Sequence, residues 1–392
     1  MTTTTPVCIF DTTLRDGEQT PGVHLSPDAK CRLATSLESL GVDVIEAGFP
    51  VSSPGDFAGV RAVAEVLRRC SVAALARALP RDIDAAAEAL QPAYRPRIHV
   101  FIGTSPIHRE RKLHMSPQTV LEHAVAAVRH ARRHVADVQF SAEDAYRTEP
   151  GFLRQVVTAV IDAGASTVNL PDTVGIALPA AMAAWMADLR SQVPNASRAV
   201  FSAHCHNDLG MATANTLEAV RGGARQVEVT MNGLGERAGN AALEEVVMAL
   251  QLHGATLGGV RTGIDTRQLY AMSRQVAEMT GIAPPPNKAV VGRNAFAHEA
   301  GIHQDGVLKD PATYEILQPG EVGQSGSALV LGKHSGRNAF RARLGALGIV
   351  VNETAQMEAM FTEFKRCADA EGPMNDEDLR AVAVRAGWRA SV

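Results

Sequence analysis

The chain has 392 residues, 46% of them hydrophobic and 20% charged, with a formal net charge of −4. That balance is ordinary for a globular protein, and the length exceeds what a single core usually fills, so one large domain with additions, or two domains, is expected. Aromatic residues make up only 4% and no large single-sign block of charge occurs, which excludes a general nucleic-acid binder that must neutralise phosphates with a basic stripe.

The N-terminus "MTTTTPVCIFD" has no basic segment followed by an apolar run, and no stretch of about 18 apolar residues occurs anywhere. No signal peptide, membrane span or membrane partner is expected, and the chain reads as soluble and cytoplasmic. The Thr run at residues 2 to 5 is expected to lack ordered structure. Five widely spaced cysteines (Cys8, Cys31, Cys70, Cys205 and Cys367) without a C-x-x-C argue for reduced thiols over a disulfide framework or a thiolate zinc knot.

Eight short β-rich runs follow one another: "VCIFD" from Val7, "VDVIEAGF" from Val42, "VAALAR" from Val72, "RIHVFIGT" from Arg97, "DVQFSAED" from Asp137, "STVNLPDT" from Ser166, "VFSAHCHND" from Val200 and "QVEVTMNG" from Gln226. Between them lie helical stretches rich in Ala, Leu and Arg. Ser26-Pro27 and Ser116-Pro117 are helix starts, a capping Ser before Pro at the first helical position. Gly41 and Gly164 are helix stops. Eight strand–helix pairs in roughly 250 residues predict an α/β fold, a (β/α)8 barrel. An open doubly wound sheet is the alternative, although no G-x-G-x-x-G follows the first strand. The three prolines of "GIAPPPNK" place a boundary near residue 281. This gives a barrel over 1–280 and a small, mainly helical region over 281–392, with helices in "DPATYEILQ", "SGRNAFRARLGALG" and "ETAQMEAMFTEFKRCADAEG", too loosely patterned for a second large core.

In such a barrel the chemistry sits at the carboxyl ends of the strands. There the sequence puts Asp11, Arg15, Asp16, Glu18 and Gln19 after the first strand, Ser141, Glu143 and Asp144 after the fifth, Asn169, Asp172 and Thr173 after the sixth, and Glu236, Arg237 and Asn240 after the eighth. The seventh ends in "HCHNDLG". Residues two apart on a strand share a face, so His204 and His206 can bind one ion while Cys205 points away. Asp16 would complete a mixed N/O set suited to Mn²⁺, Mg²⁺ or Zn²⁺. His108, His114, His123, His130 and His134 lie on or beside an Arg-rich helix and read as solvated.

These motifs, "FDTTLRDGEQ", "GVDVIEAGFPVSSPGDF", "RIHVFIGTSPIH", "NLPDTVG", "HCHNDLG", "NGLGERAGN", "GIHQDGVLKDPATYEI" and "LVLGKHSGRNAF", run in the order seen in a known family and cover nearly the whole chain. The chain resembles the 2-isopropylmalate synthases, which belong with homocitrate and citramalate synthases and hydroxymethylglutaryl-CoA lyases among the DRE-TIM metallolyases. The resemblance implies an acyltransferase of leucine biosynthesis, a metal-dependent Claisen-type condensation of acetyl-CoA with 2-oxoisovalerate. It implies Asp16, His204, His206 and Asn240 as metal ligands and Arg15 as the group that stabilises charge on the ketone oxygen. Glu143, His303 and Tyr314 would transfer protons, with His303 and Tyr314 supplied by the neighbouring subunit of a homodimer. His99, Ser141, Asn169 and Thr173 would line the 2-oxo acid pocket.

Two departures bear on this. Tyr146 and Ile176 stand where leucine-pathway enzymes carry a small residue and a Tyr, so both are expected near the acceptor pocket, and another 2-oxo acid could be the acceptor. Gln139 stands where homocitrate synthases place an Arg, which speaks against 2-oxoglutarate. The chain stops at Val392, about where long family members begin a leucine-binding regulatory domain, so no leucine feedback through that domain is expected. A metal-dependent lyase or aldolase and a non-catalytic homologue are the remaining alternatives.

Overall fold

The computed structural model describes residues 4–389. The chain divides into two compact units, one running to Pro284 and one starting at Pro285. In the first unit the eight runs form strands β1 (Cys8–Asp11), β2 (Val44–Glu46), β3 (Ser71–Arg77), β4 (Pro96–Gly103), β5 (Asp137–Glu143), β6 (Thr167–Asp172), β7 (Val200–Cys205) and β8 (Gln226–Val229). All neighbours pair in parallel. β8 returns to β1 through Cys8↔Gln226 and Asp11↔Val229, so the sheet closes and the open doubly wound alternative is excluded.

Helices α1 (Pro27–Leu40), α2 (Pro54–Val66), α3 (Pro80–Ala89), α4 (Pro117–Ala131), α5 (Pro150–Ala163), α6 (Pro179–Gln192), α7 (Ala212–Arg221) and α8 (Leu243–His253) alternate with the strands. Their starts follow from the sequence: the Ser26 hydroxyl accepts from the Ala29 N–H at 3.2 Å, and Ser53 and Ser116 cap α2 and α4 in the same way. Gly41 and Gly164 end α1 and α5 in the left-handed region. A further helix, α9 (Leu269–Thr280), follows the last barrel helix. Of the Thr run, Thr2 and Thr3 lie outside the described residues. Thr5 does not fit the expectation: it sits in a two-residue strand pairing in parallel with Val260–Arg261, held by its N–H on the Gly259 carbonyl at 2.7 Å.

Inside the barrel, Phe10, Val44 and Ala73 form an apolar cluster. Beside it the interior is polar. Gln139, Gln226 and Glu228 are buried and bonded to one another, Gln139 Nε2 donating to Glu228 Oε1 at 2.5 Å and Gln226 Nε2 to Gln139 Oε1 at 2.8 Å. All five cysteines are free. Among the described residues no helix is long and apolar enough to cross a membrane.

The second unit has a core of its own, built on Phe340, Leu344, Met360, Phe364, Leu379 and Val382 from α11 (Arg337–Ala346), α12 (Thr354–Glu371) and α13 (Asp376–Arg385). It corrects one expectation. The stretch "DPATYEILQ" supplies only the single 3₁₀ turn Pro311–Thr313, because the Asp310 carboxylate caps the Ala312 N–H and no helical turn follows. The helix lies just upstream instead, as α10 (Gly301–Lys309). The chain end at Val392 lies outside the described residues.

Candidate active site at the carboxyl ends of the barrel strands

Asp11 ends β1 and locks the loop behind it. Its two oxygens accept from the Thr13 N–H and hydroxyl, each at 2.9 Å, and the Thr13 hydroxyl accepts from the Met231 N–H at 2.8 Å. Burial pushes the Asp11 carboxyl up to about 7. Asp11 is therefore a structural staple, and the loop it fixes presents Arg15 and Asp16 to the barrel mouth.

Asp16, His204 and His206 converge. His204 Nε2 lies 3.4 Å from Asp16 Oδ2 and 3.0 Å from His206 Nε2. On its other side His204 Nδ1 meets Glu228 Oε2 at 2.7 Å. A carboxylate only accepts, so Nδ1 carries the hydrogen and Nε2 is left with its lone pair facing Asp16 and His206. Facing lone pairs repel unless a proton or a metal ion lies between them, and one donor atom from each of the three residues falls within 4.8 Å of the others. The set fits a divalent cation held by two imidazoles and one carboxylate. The same convergence holds a proton tightly. Burial opposes charge on His204, but Asp16 and Glu228 outweigh it and lift His204 to about 9. Burial and the neighbouring His204 push His206 down to about 3. Burial works against ionised Asp16 too, yet Arg15 and His204 hold it well below the usual carboxylate range.

Asn240 adjoins this group through an antiparallel bridge to His206. Its Nδ2 donates to the Leu234 carbonyl at 2.9 Å, which leaves its buried Oδ1 without a partner. The Gly-rich loop wraps it closely. A Cβ on Gly235 would stand 2.3 Å from Asn240 Nδ2, and one on Gly239, whose φ is 86°, would stand 2.0 Å from the Gly233 carbonyl oxygen. Cys205 is buried facing away, beside Thr216 of α7, and burial pushes its thiol up to about 12.

A second chain of bonds crosses the mouth. Arg15 Nε donates to Glu46 Oε2 at 2.6 Å, His99 Nδ1 to Glu46 Oε1 at 2.6 Å, and His99 Nε2 meets the Ser141 hydroxyl at 2.6 Å. Asn169 Nδ2 donates to the Ser141 oxygen at 2.9 Å, leaving its buried Oδ1 free to accept nothing but a ligand or a solvent donor. Arg15 also reaches Asp16 at 3.2 Å, so this chain and the metal-type cluster share one guanidinium. Burial resists ionised Glu46, but Arg15 and His99 hold its carboxyl below the usual carboxylate range. The cleft over these groups measures about 270 Å³ and its apolar lining comes from Phe49, Leu75, Phe101 and Pro171. Thr173 lines it too, and its hydroxyl accepts from the Asp144 N–H at 3.0 Å.

Glu143 lines the cleft at the end of β5, where Lys112 Nζ donates to both its oxygens at 2.7 and 3.0 Å and His108 Nδ1 lies 3.4 Å away. Lys112 is delivered by a π-helical turn over His108–Leu113. Burial raises Glu143, but His108 and Lys112 more than offset it and leave its carboxyl below the ordinary range. His303 and Tyr314 belong to the second unit, where both are exposed and their rings lie 4.3 Å apart.

Tyr146 and Ile176 do not line the cleft. After Asp144, which sits in the left-handed region at φ 64°, the Tyr146 ring packs edge-on against Trp185 at 5.2 Å. Gly175, at φ 62°, turns the chain so that Ile176 is 50% exposed. Gln139 is buried in the interior amide network instead of facing the cleft. His134 is exposed, in line with its reading as solvated, and together with the half-buried His130 it shares Asp84. Glu46, Lys112 and Glu228 were not anticipated. Glu46 and Glu228 had a signal, an acid at an inward position of an apolar strand; Lys112 had none, since the π turn has no sequence marker.

The profile of the HMGL-like family matches residues 6–276, and that of the homocitrate synthase post-HMGL domain-like family matches residues 290–372. A 2-isopropylmalate synthase of Methylococcus capsulatus is 56% identical over 97% of this chain and 74% of its own length. A 2-isopropylmalate synthase of Neisseria meningitidis is 53% identical over 97% of this chain and 74% of its own length. The chain thus spans about three quarters of the length of these relatives. Among solved structures, hydroxymethylglutaryl-CoA lyase of Pseudomonas aeruginosa superposes with a TM-score of 0.61 over 72% of this chain and 96% of that one, at 24% identity. The carboxyl transferase domain of Rhizobium etli pyruvate carboxylase gives 0.55 over 97% of this chain and 60% of that one, at 14% identity, a likeness of fold.

Proposed function

This chain belongs to the 2-isopropylmalate synthase family, and from that premise we propose that it condenses acetyl-CoA with 2-oxoisovalerate to give 2-isopropylmalate and CoA. The observation that carries the reading is the convergence of Asp16, His204 and His206 beside the Arg15 guanidinium. Asp16, His204, His206 and the unpaired Asn240 Oδ1 would hold a divalent ion, Mn²⁺ or Mg²⁺ with Zn²⁺ also compatible. When bound, that ion supplies Lewis-acid polarisation of the 2-oxo acid ketone.

The protein groups do the rest. Arg15, fixed by Glu46 and Asp16, is aimed at the oxygen on which negative charge grows, and its fork cannot lose its proton. His99, Ser141, Asn169 and Thr173 line the acceptor side, and Phe49, Leu75 and Phe101 offer apolar surface to a branched alkyl group. Glu143, His303 and Tyr314 move the protons. One proton leaves the acetyl methyl as its carbon attacks the ketone carbon, and one proton reaches the new alkoxide. Water then cleaves the thioester, giving the second carboxylate and the CoA thiol. Residues 1–280 would be the catalytic domain and 281–392 the part that completes the site of a neighbouring subunit in a cytoplasmic homodimer.

The test is free-thiol release from acetyl-CoA with a panel of 2-oxo acids, with and without chelator. Release with 2-oxoisovalerate that chelator abolishes and Mn²⁺ or Mg²⁺ restores is the expected result. A preference for another member of the panel would make the chain a related 2-alkylmalate synthase, and no release with any 2-oxo acid in the presence of either ion would overturn the reading.

A further inference from the structure

A second convergence of ligand atoms lies away from the barrel mouth, on the outer helices. Asp84 stands in the first half of α3, His130 in the last turn of α4, and His134 in the turn that follows, whose N–H bonds the Ala131 carbonyl at 2.9 Å. His130 Nε2 lies 2.6 Å and His134 Nε2 3.0 Å from the same oxygen, Asp84 Oδ1. The two rings are 5.3 Å apart, and one donor atom from each residue falls within 4.8 Å of the others. Histidines four apart present their rings on one side of a helical segment, so the local structure aims both at the neighbouring helix. The His130 side chain is 18% exposed and so half-set into the α3–α4 groove, while Asp84 and His134 are open to incoming ions.

We propose that Asp84, His130 and His134 form a second metal site, for a divalent transition cation of the zinc class, that bridges α3 and α4. Two imidazoles and one carboxylate alone favour Zn²⁺, Ni²⁺ or Cu²⁺ over Mg²⁺ or Ca²⁺, whereas at the barrel mouth the Asn240 oxygen and a chelating 2-oxo acid would add the oxygen donors that harder ions prefer. Three protein donors leave the remaining positions to water. The donor separations along both Asp84 contacts already approach those around a small tetrahedral ion, so little rearrangement is required. Arg133 works against binding: its Nη2 rests on His130 Nδ1. Its side chain is exposed, and it must swing away so that Nδ1 can carry the hydrogen when Nε2 takes the ion. Because Asp84 and His130 are 46 positions apart in the chain, an ion held between them cross-links two elements, and binding to the folded state alone raises its stability.

The experiment is a Zn²⁺ titration of metal-stripped, full-length protein, followed by calorimetry and by thermal melting, on the parent chain and on a double variant carrying Asp84→Ala and His134→Ala. The parent is expected to bind one Zn²⁺ equivalent more than the double variant, with micromolar affinity, and to melt higher with Zn²⁺ by a margin the variant does not show. The single variant His134→Gln, at an exposed position, should weaken that equivalent roughly tenfold or more. Both comparisons are between proteins with the same barrel mouth and the same cysteines, so they do not depend on what the mouth binds. Equal Zn²⁺ stoichiometry in parent and double variant, or an unweakened equivalent in His134→Gln, would mean that the cluster is a set of ordinary ion pairs and overturn the proposal.

Discussion

Lys112 and Glu143 show how one residue sets the working state of another. Glu143 is buried enough that desolvation alone would favour its neutral acid, yet the ammonium of Lys112 on both its oxygens and His108 nearby keep it ionised. An ionised carboxylate can take a proton and a neutral one cannot. Replacing Lys112 with Met removes the favourable charge and leaves burial in place, so the Glu143 carboxyl rises. The sign follows: the acid limb of the kcat/KM profile moves to higher pH, activity falls at low pH, and the plateau above the limb is retained. Glu143→Gln, by contrast, should cost about 10²–10⁴-fold at every pH. A pH–rate profile for Lys112→Met that superposes on the parent would show that Lys112 does not govern this proton.

Elements divide between those the sequence states openly and those it conceals. The eight strands were legible because a parallel strand buried on both faces is a short apolar run, and because Ser-Pro and Gly bracket the helices between them. The same spacing put Asp16, His204 and His206 at one end of the barrel. What the sequence concealed were partners chosen by closure. Glu46 meets His99, and Glu228 meets Gln139, across the barrel interior, because closure turns the inward faces of strands that are not neighbours toward one another. Asp84 and the His130–His134 pair were concealed differently: they face one another from two consecutive outer helices, and which positions face depends on how those helices pack. The Gly-rich loop after β8 is an element whose shape the sequence hinted at and whose reason the structure supplies. At φ 86° Gly239 occupies a conformation that costs an L-residue about 1–2 kcal/mol, and its Cβ would collide with the Gly233 carbonyl. Gly239→Ala should therefore leave the barrel folded by circular dichroism but displace Asn240, weakening divalent-ion binding at the mouth by about tenfold, near 1.4 kcal/mol. Parent-like ion affinity in calorimetry would mean that Asn240 tolerates the shift or has no part in binding.

At the scale of the whole molecule, the groups proposed to act in the reaction fall in two units of the chain. Arg15 and Glu143 stand at the barrel mouth, whereas His303 and Tyr314 sit together on the second unit, beside Ile302 and Ile316, which are 79% and 83% exposed. Large apolar side chains that open to solvent next to an exposed His–Tyr pair are what a surface made for a second chain would carry. Subunit mixing decides the point. Arg15→Ala and His303→Ala should each be nearly inactive alone. If His303 serves the partner's barrel, a mixed dimer holds one site with both defects and one site with neither. Random reassortment of equal amounts then makes half the dimers mixed and restores about a quarter of the sites. If His303 serves its own barrel, every site in the mixture keeps one defect and nothing is restored. Unfolding and refolding the two variants together, then measuring CoA release against each refolded alone, distinguishes these outcomes. Recovery near a quarter of the parent rate is expected, and a mixture no more active than its parts would place the complete site within one chain.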